Sequence, residues 1–292
     1  MSAPPVVVKI GGSTLNHQDT SLKDLVALLK TGLPIVVVHG GGNVISQWTQ
    51  KQGIPPQFVE GLRVTDAASL EIVVAVLSGL INKELVAQIH SLGGKAIGFS
   101  GIDGGSIEAY IAKPELGYVG EISHVNTEPI KVILKSGYIP MMAPVGFHRD
   151  DGSDHAGNPL NINGDTVAGE VARALSAERL VFLTDVPGIM DANGRVMRRL
   201  DPRRAQNLIR SGIIRGGMIP KLDACLRALE TYSYADIIDG REPEALLNCI
   251  QGRSTGTRIS ASRPQREYCL LYTSDAADEK RGVDLGGRRI IK

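Results

Sequence analysis

The chain has 292 residues, 42% hydrophobic and 22% charged, enough apolar material for two sizeable cores; a disordered chain, a disulfide miniprotein and a fibrous repeat are excluded. Lys and Arg number 32 against 31 Asp and Glu, and aromatic residues make up 4% with Trp48 the single tryptophan, so neither a strong basic field nor a stacking platform for nucleic acid is expected. No apolar run approaches the roughly 18 residues that span a bilayer and the opening MSAPPVVVK lacks the apolar core of a secretion signal, so a soluble cytoplasmic protein with no nucleic-acid or membrane partner is expected.

Short β-branched runs alternate with longer amphipathic ones. In chain order the pattern predicts a strand at 6–10, a helix at 22–30, a strand at 34–39, a helix at 43–52 and a long helix at 67–92 capped by Thr65 or Asp66. A strand at 95–100, a turn-rich hairpin segment at 117–126, a helix at 129–136 and a strand at 138–144 follow, then a second hairpin-like segment at 146–159. The remainder predicts a helix at 166–175, a strand at 180–184, helices at 202–211 and 219–232, a strand at 236–239 and a helix at 243–249. Asp201-Pro202 is a well-formed helix start, with a side-chain acceptor at the cap and Pro where the amide lacks a partner anyway. Strands apolar on both faces need helices on both sides, so the fold class is α/β: a three-layer αβα arrangement around an open, mostly parallel sheet. The weakest seam, at 176–179, divides an N-terminal lobe, 1–178, from a C-terminal lobe, 179–260.

Two strand ends carry chemistry. Val6-Val7-Val8-Lys9-Ile10-Gly11-Gly12 runs a buried strand into a cation and two glycines, and Val36-Val37-Val38-His39-Gly40-Gly41-Gly42-Asn43 runs strand, glycines, helix. A lysine there must face a cleft or an anion, and glycines let amides approach one closely. Each alone reads equally as a turn; two on neighbouring strand ends make an anion crevice. The GxGxxG fingerprint fails because Ile45 occupies the third glycine position, and no GxxxxGK[ST] is present. The six histidines show no metal-ligand spacing, and Cys225, Cys249 and Cys269, an odd number without CxxC, read as inert thiols.

Three further features stay open at this level. Arg63 is either a carboxylate clamp or one half of a surface ion pair. Asp165, in Asn161-Ile162-Asn163-Gly164-Asp165-Thr166, is either a site acid or an N-cap, with Asn161 and Asn163 on one face of the preceding strand. Lys221, after Gly216-Gly217, is either a second site cation or solvated.

Taken in order, Lys9-Ile10-Gly11-Gly12, His39-Gly40-Gly41-Gly42, Gly61-Leu62-Arg63-Val64-Thr65, Gly117-Tyr118-Val119-Gly120-Glu121, Asn161-Ile162-Asn163-Gly164-Asp165, Thr184-Asp185-Val186-Pro187-Gly188-Ile189 and Gly217-Met218-Ile219-Pro220-Lys221 closely resemble the N-acetylglutamate kinases of the amino-acid kinase family, over residues 4–260. The resemblance implies that family's two-lobed fold and ATP-dependent phosphorylation of the side-chain carboxylate of N-acetyl-L-glutamate in arginine biosynthesis, with Mg2+ held by the ATP phosphates. It implies Lys9, Lys221, Asp165, Gly12 and Gly42 as the catalytic set, and Gly41, Gly42, Arg63 and Asn161 as the acceptor site. Nucleotide contacts are implied at Lys9, Gly11, Gly12, Thr184, Asp185, Val186, Pro187, Gly188, Ile189, Ile213, Ile214, Arg215, Met218 and Lys221. With the first strand starting at residue 6, it also implies a homodimer insensitive to arginine, joined through the helix after Thr65. The runners-up are a kinase of the same fold acting on carrier-bound aminoadipate or glutamate, against which GLRVT argues, and a non-catalytic nucleotide sensor, which does not need Lys9, Asp165 and Lys221 together.

Residues 261–292 stand apart. From Cys269 onward they have neither helical nor strand periodicity and resemble the translation of a sequencing-library adapter, so a non-native or disordered tail without function is expected.

Overall fold

The computed structural model describes residues 3–12, 18–59, 61–149, 152, 155–229, 234–253 and 256–260. The expectations for the tail, Cys269, the tip of 146–159 and the end of the helix at 219–232 therefore lie outside the described residues. The elements are β1 (Val6–Ile10), α1 (Gln18–Lys30), β2 (Ile35–His39), α2 (Gly42–Lys51), β3 (Phe58–Val59), β4 (Leu62–Arg63), α3 (Ala67–Val74), a π-helical segment (Ala75–Ile81), α4 (Asn82–Ser91), β5 (Ala96–Ser100), β6 (Ile107–Tyr110) and β7 (Glu121–Val125). They continue with α5 (Glu128–Lys135), β8 (Ile139–Ala143), β9 (Val145–His148), β10 (Pro159–Asn161), α6 (Gly164–Ala174), β11 (Arg179–Thr184), β12 (Arg199–Leu200), α7 (Pro202–Arg210), α8 (Met218–Ala228), β13 (Tyr234–Asp239), α9 (Ala245–Ile250) and β14 (Thr257–Ile259).

The main sheet runs β12-β14-β13-β11-β1-β2-β8-β5, and β13 with β14 is its antiparallel pair. Side chains alternate across it into two cores. Val7, Val36, Val38, Leu180 and Phe182 enter one core with Val167 and Val171 of α6 and Leu222 and Cys225 of α8. Val6, Val8, Ile10, Val37 and Val181 enter the other with Leu22 and Leu25 of α1, Val73 and Leu77 of the long helix and Leu85 and Ile89 of α4. Each such buried side chain contributes about 1.5–3 kcal/mol before chain entropy is charged against it. This is the three-layer αβα arrangement, and the chain winds outward from β1 in both directions, toward β2 and toward β11, which leaves a crevice at the carboxyl end of β1. The sheet is continuous across residue 179, where β11 pairs with β1 from Val6–Arg179 to Ile10–Leu183.

One close approach and two caps set up the site and its flanks. Gly169 of α6 lies against α8, where a β-carbon would come within 3.0 Å of Ala224 Cβ, so the two helices approach closely enough to share charged side chains. Asp66 and Asp201 cap α3 and α7 by accepting from Ser69 N and Arg204 N, as expected.

Some elements depart from the sequence reading. The long helix runs Ala67–Ser91 but carries a seven-residue π segment. By length and composition it is apolar enough to cross a membrane (mean hydropathy 1.6 over its best window), contrary to the expectation of no such run. Its inner face nonetheless packs into the second core through Ile72, Val73, Leu85 and Ile89. The hairpin expected within 117–126 is instead β7 paired with β6, with 117–120 forming a separate linking strip. The second hairpin pairs β9 with β10, as expected for the ends of 146–159.

Candidate active site

β1 and β2 are parallel and in register, with Lys9 beside Val38 and Ile10 beside His39, so both glycine turns emerge at one level. Gly40 N donates to Ile10 O (2.9 Å) and Gly11 N to Leu183 O (3.1 Å). A β-carbon on Gly12 would lie 3.3 Å from the amide nitrogens of both Gly41 and Gly42, and one on Gly40 would lie 3.0 Å from the amide nitrogen of Gly12, so the close approach of the two turns rests on glycine at 12 and 40. α2 opens at Gly42 with no side-chain cap and no acidic residue in its first turn, which leaves its N-terminal amides for an anion.

Lys9 and Lys221 converge on Asp165. Lys9 Nζ lies 2.7 Å from Oδ1, and Lys221 Nζ donates to Oδ2 at 3.1 Å; Lys9 and Asp165 are buried and Lys221 is mostly so. Burial pushes the Asp165 carboxyl up, but the two ammonium groups outweigh it and hold the pKa below the usual aspartate value. Asp165 is not the N-cap: Asn163 takes that position, its Oδ1 accepting from Asp165 N (2.8 Å) and Thr166 N (3.1 Å). The capping duty falls two residues earlier, which frees the carboxylate for the lysines. Lys221, likewise, is not simply solvated.

Arg63 is buried and forms no ion pair among the described residues, so the surface-pair reading is set aside. Its Nη2 donates to Gly42 O (2.9 Å) and Ser46 Oγ (2.7 Å), its guanidinium stacks 4.7 Å from the Phe58 ring centroid, and buried Nη1 has no partner among the described residues. Desolvation lowers its pKa, the mark of a cation held away from water without a counter-charge. Thr65 links it to Asn161: Thr65 Oγ1 donates to Arg63 O (3.0 Å) and accepts from Asn161 Nδ2 (3.0 Å). The strip 117–120 laces Thr65 and the end of β10 together, Tyr118 N donating to Thr65 O, Asn161 N to Tyr118 O and Gly120 N to Asn161 O. Gly117, at φ +70°, has no room for a β-carbon against Thr65 O.

Lys9, Gly12, Gly41, Gly42, Arg63, Asn161 and Asp165 line one cavity of about 200 Å³. Sequence reasoning missed Ser46 and Phe58 in this site and the capping role of Asn163; Ser46 is legible only once α2 is known to open at Gly42, which puts it one turn on, facing Arg63. Of the residues expected to contact nucleotide, those from 184 to 218 do not line that cavity. Thr184 is buried and its hydroxyl is spent on the carbonyls of Val186 and Ile238, while Ile189 and Ile214 are core residues. Asp185, Pro187, Ile213 and Arg215 are exposed, Val186 is half-buried, Gly188 is buried, and Met218 opens α8 three residues before Lys221.

A family model described as the amino acid kinase family matches residues 4–238. An acetylglutamate kinase of Dehalococcoides mccartyi is 45% identical over 261 residues, covering 89% of this chain and 96% of that protein. Among solved structures, smu.665 of Streptococcus mutans superposes with a TM-score of 0.75 at 28% identity, over 88% of this chain and 98% of that one. Carbamate kinase from Giardia lamblia shares the fold, with a TM-score of 0.66 at 15% identity over 89% of this chain and 100% of that one. The match spans both glycine turns, Arg63, Asp165 and Lys221, and the chain belongs to the amino acid kinase family.

Proposed function

We propose that the chain transfers the γ-phosphoryl group of ATP to the side-chain carboxylate of N-acetyl-L-glutamate, giving N-acetyl-L-glutamyl 5-phosphate and ADP, a step of arginine biosynthesis in the cytoplasm. The observation that carries this is the pair of lysines on one carboxylate beside a buried arginine that has no ion pair among the described residues. The acetylglutamate kinase names of relatives such as that of Dehalococcoides mccartyi support the choice of acceptor.

A glutamate-type carboxylate, which ordinarily titrates near pH ~4.3, is already ionised at neutral pH, so no general base is needed. The obstacle is bringing that anion to within about 3–3.5 Å of a polyphosphate, in line with the leaving oxygen. Arg63 and the amides of Gly41 and Gly42 hold the acceptor's carboxylates and Asn161 reads its acetamido group. Lys9 neutralises charge between the incoming oxygen and the transferring phosphoryl group, whose oxygens the Gly12 and Gly42 amides cover. Lys221 neutralises the leaving side. Asp165 accepts no proton; it holds both ammonium groups toward the crevice. Mg2+ supplies charge neutralisation on the polyphosphate when bound. Both oxygens of Asp165 already face lysines, a donor set that fits a metal held by nucleotide phosphates and water rather than by the protein.

In this reading residues 1–178 bind the acceptor and residues 179–260 bind the nucleotide, with the segments at 184–189 and 213–215 shaping its site. Two copies associate through the outer side of the long helix, where Ala68, Ala75 and Gly79 are exposed, next to the edge strand β5 with its exposed Ile97. Light scattering would give twice the chain mass; a monomer removes the dimer from this account.

The test is trapping of acyl phosphate with hydroxylamine, with N-acetylglutamate, glutamate, aspartate and N-acetylaminoadipate in parallel. Hydroxamate from N-acetylglutamate at the highest kcat/KM is expected. Preference for another acid reassigns the acceptor, and none from any acid makes the chain a nucleotide sensor.

A further inference from the structure

His39 ends β2 and directly precedes Gly40-Gly41-Gly42, yet it is wholly buried and none of the steps above uses it. Its Nδ1 lies 2.9 Å from the Gly40 carbonyl oxygen and its Nε2 lies 3.1 Å from Nδ2 of Asn82, itself wholly buried at the start of α4. Asn82 Nδ2 also donates to Met141 O (2.9 Å), and Asn82 Oδ1 accepts from Lys83 Nζ (3.1 Å), which fixes the direction of the amide. With a donor facing Nε2 and a carbonyl facing Nδ1, the imidazole is neutral and carries its proton on Nδ1. Burial, together with the charges of Lys9 and Lys83, pushes its pKa down to about 4, in keeping with that state.

The surroundings make room for this chain of bonds. A β-carbon on Gly98 of β5 would overlap Asn82 Oδ1, so the glycine leaves space for the amide. Asn82 is delivered by the π segment, where its backbone N–H donates to Leu77 O, five residues back. That spacing puts Leu77 and Ile81 beneath Gly41, where a β-carbon would come within 2.7 Å of Leu77 Cδ2. The π segment thus backs the glycine turn with side chains on one flank and with the Asn82–His39 pair on the other.

The consequence follows from peptide planarity. The Gly40 carbonyl and the Gly41 N–H belong to one rigid unit, so holding the oxygen on one side aims the N–H at the other. Between glycines such a unit rotates with little steric resistance, and a fixed donor removes that freedom. We propose that Asn82, acting through His39, is a positioning residue for the acceptor site: it locks the imidazole that pins the Gly40–Gly41 peptide and so aims the Gly41 amide at the acceptor's carboxylate. This rests on the reading of Gly41 as an acceptor contact.

The test compares hydroxamate kinetics of the unmodified chain with Asn82→Leu, Gly98→Ala, His39→Gln and His39→Asn, normalised to folded protein. Asn82→Leu and Gly98→Ala, which displaces the amide, should raise KM for N-acetylglutamate roughly tenfold, as loss of a buried hydrogen bond does, and leave KM for ATP within about twofold. His39→Gln reaches Asn82 but gives up the Gly40 bond and should behave likewise; His39→Asn keeps a donor near the Nδ1 position and should recover most of the affinity. Loss of packing alone lowers the active fraction and leaves KM alone, so acceptor KM within about twofold in both Asn82→Leu and His39→Gln overturns the proposal. Nitrogen-15 NMR of the unmodified chain reads the same link without a variant. A neutral Nδ1-protonated His39 whose shifts move on saturation with N-acetylglutamate supports it; an Nε2-protonated ring, or shifts that stay put while hydroxamate forms, contradicts it. Failure of the acceptor assignment is separately visible as no hydroxamate from N-acetylglutamate in the unmodified chain, and the NMR tautomer still decides whether the Asn82–His39 link exists.

Discussion

Lys9, on the central strand, and Asp165, in the first turn of α6, meet at 2.7 Å with both side chains buried, and Lys221 of α8 closes on the other carboxylate oxygen. A lone carboxylate in so dry a place would stay protonated; here it is held ionised and in turn holds two cations that repel each other. The arrangement depends on Asn163 capping α6 and on Gly169 letting α8 approach.

Replacing Asp165 with Asn keeps the shape and removes the charge. Because the folded pKa of Asp165 is depressed, its contribution to stability is present above the unfolded value of about 4 and is lost as pH falls through the lower folded value. Asp165→Asn should therefore cost about 3–5 kcal/mol at neutral pH, the range for breaking a buried ion pair, and flatten the acid limb of a urea-unfolding pH series. An unchanged midpoint at pH 7 would show that the lysines are held by something else.

Arg63→Ala should act mainly on acceptor binding. Loss of a bond to a charged group predicts KM for N-acetylglutamate higher by about tenfold or more, with kcat changed far less. Arg63→Lys should recover little, because a lysine cannot occupy Gly42 O and Ser46 Oγ and still present a second nitrogen to the cavity. An effect confined to kcat argues against a ground-state clamp.

Thr65 has no place in the chemistry but joins two groups that do. Thr65→Val keeps the volume and removes the oxygen that accepts from Asn161, so Asn161 should lose its orientation. Steady-state kinetics should show acceptor KM raised about fivefold, the range for one hydrogen bond, at unchanged ATP KM. Equal changes in both KM values would point to general loosening.

His39 gives a pH signature of its own. Its pKa, lowered to about 4 in the folded chain, lies below the unfolded value of about 6.5, so the unfolded state binds more protons between these values. Its contribution is complete above pH ~6.5 and is lost as pH falls toward about 4. Unfolding free energies at neutral pH and about one and a half to two pH units lower should differ less in His39→Asn than in the unmodified chain. The same difference in both would assign the slope to other groups.

Much of the frame was legible because its signals are short-range. The β-branched runs at Val6–Ile10 and Ile35–His39 and the glycines after them required only strand pattern and backbone freedom. What stayed hidden depends on partners far along the chain. The stretch Ala75–Ile81 is apolar and reads as helix, and no residue within it marks the segment as π rather than α. β3, β4 and β12 are two residues each, too short for alternation to register. Asn163 and Asp165 are both good capping residues. The choice between them is made by Lys9 and Lys221, which lie far from residue 165 along the chain and draw its carboxylate away from the helix end.

The most direct measurement is the turnover of Lys9→Ala in the hydroxamate assay at saturating ATP and N-acetylglutamate, on protein whose melting shows it folded. Removal of one preorganised charge from the path of the phosphoryl group predicts kcat lower by roughly a hundredfold or more. Near-normal turnover would take Lys9 out of the mechanism and with it the account of how two anions are brought together.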